Sequence, residues 1–169
     1  MDAATLRATQ APIKDRYKTD PKSAVITLKA KGSIENEGIA CKVETGRALA
    51  VAGLHPATGG SGLELCSGDM LLEALVACAG VTLKSVATAL EIPLEAGDVI
   101  AEGDLDFRGT LGVDKEAPVG FAEIRLRFDV GTDAPQDKLD LLLKLTERYC
   151  VVYQTIKNGP KVSVSMHRV

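Results

Sequence analysis

The chain has 169 residues, of which 46% are hydrophobic and 25% are charged, a composition typical of one globular domain with a core of its own. A net charge of −3 without a basic block argues against nucleic-acid and anionic-membrane ligands. Glu73 and Lys84 interrupt the longest apolar stretch, so we expect no transmembrane span. The N-terminus also lacks the charged-then-apolar layout of a signal peptide.

The cysteine content indicates the redox compartment. Four cysteines without a signal sequence favour a reducing cytoplasm, where thiols are more often free, catalytic or metal-binding than joined in structural disulfides. They form no Cys-x-x-Cys pair, and His55 and His167 show no ligand spacing. We therefore expect neither a metal site nor a bound cofactor.

The N-terminal third divides into a polar segment and a strand-rich one. Residues 1–22 contain Pro12 and Pro21 and predict an arm or short helix. Residues 23–53 alternate apolar and polar side chains in three short runs, which predicts an antiparallel β-meander. The runs span 23–31, 39–44 and 48–52, with a turn at 36–38.

Residues 67–91 form a long apolar segment that predicts a central helix. Ser67 is the expected N-cap, with Asp69 in the first turn, and the helix should end before Pro93. Cys78 lies in its middle. Because such a helix is apolar around most of its circumference, we favour a homodimer over a monomer whose own sheets and helices cover it.

The C-terminal half alternates between strand and helix patterns. Residues 98–131 predict a long β-hairpin with one solvent-exposed face, and its two strands are connected through a loop at 112–120. Residues 133–158 predict helices that start at Thr132 or Asp133, with Pro135 in the first turn and a break near Tyr149. Residues 160–169 predict a last strand. Strands grouped between helices indicate a single α+β domain.

Two segments in this order carry a family resemblance. They read SGDMLLEALVACAG at 67–80 and ERYCVVYQTI at 147–156, and their cysteines stand 72 positions apart (150 − 78). They resemble the central helix and the second-cysteine helix of the OsmC/Ohr family, the osmotically inducible and organic hydroperoxide resistance proteins. On the residues alone, each cysteine is either a small core side chain or a redox centre.

The resemblance implies an OsmC-like fold, in which antiparallel sheets surround a long central helix in an intertwined homodimer with sites at the subunit interface. It also implies a peroxiredoxin-type organic hydroperoxide reductase that acts in the oxidative stress response. Cys78 would be the peroxidatic thiol, and Cys150 would resolve it as a disulfide. The substrate would be a small organic hydroperoxide, and an external dithiol, lipoyl-type or another thiol, would be the reductant.

The resemblance also implies an arginine from the first sheet, and Arg47 after the turn at Gly46 is the candidate. Organic-hydroperoxide members carry a Pro-Glu pair before the central helix, where this chain has residues 67–69, Ser-Gly-Asp. Either another group holds Arg47 or the site is tuned differently. Four side chains are the expected pocket residues: Leu71, Leu75, Tyr149 and Tyr153.

Two other functions stay open on the sequence. The first is a non-catalytic dimeric module that binds a small hydrophobic ligand in the same apolar pocket. The second is a cysteine-dependent hydrolase, which would require His55 to reach Cys78 and act as its base.

Overall fold

The computed structural model describes residues 2–19, 31–34, 40–44, 49–112 and 114–168. It begins with helix α1 (Ala3–Thr19), which continues through Pro12. The predicted arm or short helix is therefore a helix of 17 residues. Arg7 of α1 forms an ion pair with Glu91, its Nη2 lying 3.2 Å from Oε1, so α1 is attached to the rest of the fold near that residue.

The first sheet contains three antiparallel strands in the region of the predicted meander, but its first strand lies at 31–34 and shares only Lys31 with the predicted strand at 23–31. Strands β1 (Lys31–Ile34), β2 (Ala40–Glu44) and β3 (Leu49–Gly53) pair antiparallel in chain order. A two-residue strand, β4 (Leu65–Cys66), adds to β3 in parallel. Residues 23–30 of the first predicted strand and the predicted turn at 36–38 lie outside the described residues.

Helix α2 (Ser67–Ala89) is the predicted central helix, but its N-cap is Cys66 rather than Ser67. Because β4 pairs up to Cys66, that residue keeps an extended backbone (φ −82°, ψ 130°) and the helix begins directly after it. At the other end Glu91 has φ +57°. The N–H groups of Glu91 and Ile92 donate to Thr88 O and Ala87 O, which is the Schellman motif.

The predicted hairpin consists of β5 (Ala96–Leu105) and β6 (Phe121–Gly131), paired antiparallel. The first strand ends earlier than expected, because the Asp106 side chain accepts from Arg108 N at 3.0 Å and caps a short helix, α3 (Phe107–Thr110). Phe107, which lies within the predicted hairpin, is in this helix instead. A Cβ on Gly103 would lie 2.5 Å from Phe121 Cε1, so the Phe121 ring requires glycine there.

Two helices follow the hairpin. Helix α4 (Gln136–Tyr149) has Pro135 as its N-cap, so the predicted start at Thr132 or Asp133 is wrong. The Thr132 hydroxyl instead donates to Pro93 O at 2.6 Å and accepts from Ala134 N, which holds the preceding loop. Helix α5 (Val151–Asn158) follows the expected break and ends at Gly159.

The predicted last strand is not formed within the chain. Residues 159–168 have no regular secondary structure and are exposed along their whole length. Val162, Val164 and Met166 are 77%, 93% and 96% exposed. An alternating segment becomes a strand only beside a second strand, and none of the described strands pairs with it.

The core lies where the C-terminal half of α2 meets α4 and the hairpin. Its buried members are Leu83, Val86, Ala87, Ile92 and Leu142. By length and composition alone, α2 is apolar enough to cross a membrane, with a mean hydropathy of 1.7, contrary to the expectation from the sequence. In the fold it packs against β5, α4 and α5, and its buried residues are Leu75, Ala79, Leu83, Val86 and Ala87. The class is α+β, as predicted.

Candidate active site

Cys78 and Cys150 are brought together where α2 meets the junction of α4 and α5. Cys78 lies in the middle of α2 and is half-buried, whereas Cys150 is 1% exposed. Both are free thiols, and each influences the ionisation of the other. Residues 72 positions apart therefore form one dithiol pair.

Cys150 joins the two C-terminal helices. Its N–H donates to Thr146 O at 3.0 Å and closes α4, while its carbonyl accepts from Gln154 N at 2.9 Å and opens α5. It is at once the C-cap of α4 and the N-cap of α5, with an extended backbone (φ −73°, ψ 108°). The first N–H groups of α5 have no partner within the helix, so they are free to interact with the sulfur of Cys78.

The surroundings of Cys78 favour its thiolate. Burial raises the pKa of the thiol, but interaction with the backbone N–H of Val152, the Cys150 thiol, the N–H of Val151 and the Thr82 hydroxyl lowers it. The net pKa lies below the ordinary value of a cysteine. Donors to the charged form offset burial, so Cys78 is the thiol suited to act as the nucleophile.

Cys150 is shifted in the opposite direction. Burial raises the pKa of its thiol; the backbone N–H of Tyr153 lowers it, and the neighbouring Cys78 raises it again through hydrogen bonding and charge. The net pKa lies above the ordinary value. Cys150 therefore holds its proton while Cys78 is ionised, and donates toward the Cys78 sulfur.

Thr82, one turn after Cys78, is a site residue that the sequence reasoning missed. Its hydroxyl donates to Cys78 O at 2.7 Å and also lowers the pKa of the Cys78 thiol. Because a hydroxyl has one proton, it can donate to only one of these acceptors at a time. The signal available in the sequence was a polar residue four positions after the thiol, on the same helix face.

Gln154 holds the helix junction and was also missed. Its Nε2 donates to Glu147 O at 2.7 Å, which links α5 to the last turn of α4 across Cys150. Its Oε1 accepts from Asn158 Nδ2 at 2.8 Å. This bridge fixes the direction of α5, and thereby the direction of the N–H groups that face Cys78. Gln154 stands in the quoted 147–156 motif, which was the available signal.

The expected pocket residues do not share one cavity in the single chain. Leu75 and Tyr153 line a cavity of about 540 Å³ against β6. Tyr149 lines one of about 480 Å³ beside Cys150 and another of about 510 Å³ between α1 and α2. Leu71 lines a fourth, of about 390 Å³, at the start of α2. Arg47 lies outside the described residues.

His55 is not beside Cys78. Its Nδ1 accepts from Ala57 N at 3.0 Å, and its ring stacks on Phe107 with the centroids 4.9 Å apart. It lines the same cavity as Cys66, which precedes Cys78 by twelve positions, about 18 Å along a helix. The arrangement that a Cys78 hydrolase would need is not present.

Metal ligands do not cluster in the part of the chain that the structure describes. In that part of the chain, no three His, Cys, Asp or Glu side chains are placed so that they could hold a metal ion together. The site itself contains two neighbouring thiols, Cys78 with a lowered pKa and Cys150 with a raised one.

Comparisons with known proteins agree with this architecture. The family model described as OsmC-like protein matches residues 60–165, more than half of the chain, whereas no curated protein matches significantly. An OsmC-like protein from Mycoplasma pneumoniae superimposes with a TM-score of 0.65 at 14% identity, covering 79% of this chain and 89% of that one.

Two further solved structures are similar in fold. An organic hydroperoxide resistance protein OsmC from Legionella pneumophila gives a TM-score of 0.61 at 18% identity, covering 80% of this chain and 92% of that one. An organic hydroperoxide resistance protein from Elizabethkingia anophelis gives 0.62 at 14% identity, with 80% and 91% covered. At such identities the similarity shows the fold alone.

Proposed function

Because the chain belongs to the OsmC-like protein family, we propose that it is a thiol peroxidase that reduces organic hydroperoxides through Cys78 and Cys150. The observation that carries the proposal is the pairing of these two free thiols, with the pKa of Cys78 lowered and that of Cys150 raised. Two of the neighbours in fold are named for organic hydroperoxide resistance, which supports the same chemistry.

In the first step the Cys78 thiolate attacks the terminal oxygen of the hydroperoxide. The O–O bond breaks, the distal oxygen stays on sulfur as a sulfenic acid, and the alkoxide leaves and takes up a proton to give the alcohol. Sulfur is oxidised by two electrons and the peroxide is reduced by two. The donors around Cys78, which are the N–H groups of Val151 and Val152 and the Thr82 hydroxyl, favour the required thiolate.

In the second step Cys150 attacks the sulfenic sulfur of Cys78. The Cys150 proton and the sulfenic hydroxyl leave as water, and the Cys78–Cys150 disulfide forms. An external dithiol, lipoyl-type or another thiol, then exchanges with this disulfide and restores both thiols. Arg148 lines the cavity beside Cys150, so an incoming reductant meets a positive charge at the edge of that cavity.

A thiol reductant of this kind is consistent with the proposed location in a reducing cytoplasm. The role of Arg47 in the reaction stays a prediction.

The test is one equivalent of cumene hydroperoxide added to the reduced protein, followed by peptide mapping without reduction. The proposal expects a prompt Cys78–Cys150 disulfide together with one equivalent of cumyl alcohol. If the thiols stay free and no peroxide is consumed, the proposal is contradicted, and the non-catalytic module that binds a hydrophobic ligand is favoured. Oxidation of Cys41 or Cys66 alone would contradict it as well.

We also propose that the protein is a homodimer completed by its C-terminal segment. Val162, Val164 and Met166 alternate along residues 159–168, which have no regular secondary structure and are exposed, and the hydrophobic Val81 of α2 is 73% exposed. A strand edge of a second copy would supply the missing backbone partners, as in β-strand addition.

The dimer is tested by light scattering after size exclusion. Val164→Lys should shift the protein toward the monomer, whereas Ser163→Lys, which places the same charge on the other face of the segment, should not. Equal masses for both variants and the wild type would contradict this role of the segment.

A further inference from the structure

We propose that Gln154 is a positioning residue for the proposed peroxidase reaction, an inference that rests on that function. Its side-chain amide binds the carbonyl of Glu147, which would otherwise be the acceptor for the N–H of Val151. The Val151 N–H therefore stays available to the sulfur of Cys78. Gln154 acts through the backbone of the helix junction and not on the reacting atoms.

The acceptor in question is the carbonyl oxygen of Glu147, in the last turn of α4. In an unbroken α-helix each carbonyl accepts from the N–H four residues later, which for Glu147 is that of Val151. Here the Glu147 oxygen accepts from Gln154 Nε2 at 2.7 Å, and the Val151 N–H interacts with the Cys78 thiol. The side-chain amide of Gln154 thus replaces a backbone donor.

The backbone of Cys150 agrees with this exchange of donors. Its own N–H still follows the helical pattern and donates to Thr146 O at 3.0 Å. Its ψ, however, is 108°, whereas a helical residue has a ψ of about −42°. Because this angle sets the direction of the next N–H, that of Val151 turns away from α4. A helical ψ at Cys150 would return the Val151 N–H to Glu147 O and remove a donor from the thiol.

Apolar packing within the chain holds α5 only weakly. The helix contacts α2 and α4, but none of its eight residues is buried, so little apolar surface is removed from water to fix its direction. A helix of this length is marginal on its own. Gln154 is half-buried, and its Oε1 accepts from Asn158 Nδ2 at 2.8 Å. Its amide is therefore held in place for the bond to Glu147 O.

The test compares Gln154→Met with Gln136→Met. Methionine keeps the length and the helix propensity of glutamine but lacks the amide. Gln136 is the matched control, because its Nε2 donates to Asp140 Oδ1 at 2.8 Å at the opposite end of α4 from Cys150. Both substitutions exchange neutral side chains, so no charge near the thiols changes. Circular dichroism checks the fold, and Gln154→Ala replaces Gln154→Met if that variant unfolds.

The rate at which iodoacetamide alkylates Cys78 is measured against pH by peptide mass spectrometry, a profile that a loss of stability alone would not shift. We expect Gln154→Met to move the midpoint to higher pH and to slow the reaction at neutral pH by about three- to tenfold, because a donor to the thiolate is weakened. Gln136→Met should follow the wild type. An unchanged midpoint in Gln154→Met, or an equal shift in Gln136→Met, overturns the inference.

A second background tests the route through Val151. Proline at this position has no N–H to return to Glu147 O, so Gln154→Met should lose about half of its effect or more in Val151→Pro. An equal effect in both backgrounds overturns the inference. Consumption of cumene hydroperoxide is measured separately. If the wild type consumes none while Gln154→Met still shifts the alkylation midpoint, the peroxidase function is refuted and the positioning role of Gln154 stands.

Discussion

The thiols of Cys78 and Cys150 influence each other's ionisation in opposite directions: the Cys150 thiol is one of the donors that lower the pKa of Cys78, and Cys78 adds to the burial that raises the pKa of Cys150. The lower pKa suits Cys78 to be the nucleophile in the proposed function, with Cys150 as the second thiol. The five predictions below test the parts of this arrangement and the core that supports it.

The pH dependence of alkylation should differ between the two thiols. Since only the thiolate reacts and the pKa of Cys78 is lowered, its rate with iodoacetamide should reach half its maximum at a lower pH than that of N-acetylcysteine. In Cys78→Ser, Cys150 should still titrate above N-acetylcysteine, because burial is the largest cause of its shift. A midpoint for Cys78 at or above that of N-acetylcysteine would contradict the assignment.

Val151→Pro should slow the reaction of Cys78 with iodoacetamide at neutral pH by removing one N–H donor. Proline suits the first position of a helix, and Cys150 before it is already extended, as a residue preceding proline should be. Loss of one donor to a charged acceptor corresponds to about 1.5–3 kcal/mol, roughly a tenfold change or more in thiolate population. Gln136→Pro, at the first position of α4, is the matched control and should leave the rate unchanged.

Thr82→Val should raise the pKa of Cys78 and reduce its rate at neutral pH by several-fold, while Thr82→Ser, which restores the hydroxyl, should recover most of the loss. The matched control is Thr88→Val. The hydroxyl of Thr88 donates to Lys84 O at 2.8 Å in the same geometry, away from the thiols. If Thr88→Val reduces the rate as much as Thr82→Val, the effect comes from the helix and not from contact with sulfur.

Replacing Cys78 and replacing Cys150 should block the reaction at different steps. Cys78→Ser should consume no organic hydroperoxide, because the nucleophile is lost. Cys150→Ser should react once and stop at a sulfenic acid on Cys78, which dimedone traps for mass spectrometry. Cys66→Ser should behave as the wild type, since Cys66 lies in the cavity with His55. Dimedone on Cys150 in Cys78→Ser would reverse the assigned roles.

Leu142→Ala should destabilise the fold by about 2–5 kcal/mol, the usual cost of deleting a buried leucine side chain, because Leu142 is 2% exposed within the core around α2. Leu141→Ala, at an adjacent position that is 43% exposed, should cost less than half as much. Urea unfolding followed by circular dichroism measures both. Equal losses of unfolding free energy in the two variants would contradict the position of the core around Leu142.

The sequence predicted the features that depend on neighbouring residues. Alternation of apolar side chains located the meander and the hairpin, and the long apolar run located α2, because side-chain direction follows backbone period. The break near Tyr149 and the end of the helices at 158 were also predicted from local pattern, and α4 and α5 end at Tyr149 and Asn158. The two cysteine motifs indicated the family before any fold was available, and the family model confirms it.

Helix starts were less well determined. Ser67 and Asp133 are good capping residues, yet Cys66 and Pro135 are the N-caps, because pairing in β4 and the loop bonded through Thr132 fix where the chain turns. The strand expected at 160–169 depends on a partner strand that the described part of the chain does not provide. The two helix starts were wrong because a more distant contact overrides a local preference, and the last strand was wrong because the contact it needs is missing from the described residues.

The electrostatics of the site were decided by the tertiary structure. Burial of a thiol requires something to offset its raised pKa, and the candidate that the family resemblance implied, Arg47, is a cation. In the described part of the fold, the N–H groups of Val151 and Val152 and the Thr82 hydroxyl lower the pKa of Cys78. Backbone donors carry no signature in the sequence, because every residue except proline has one. The sequence by itself identified the two thiols as candidates, and only the packing of α5 against α2 lowers the pKa of Cys78 and raises that of Cys150.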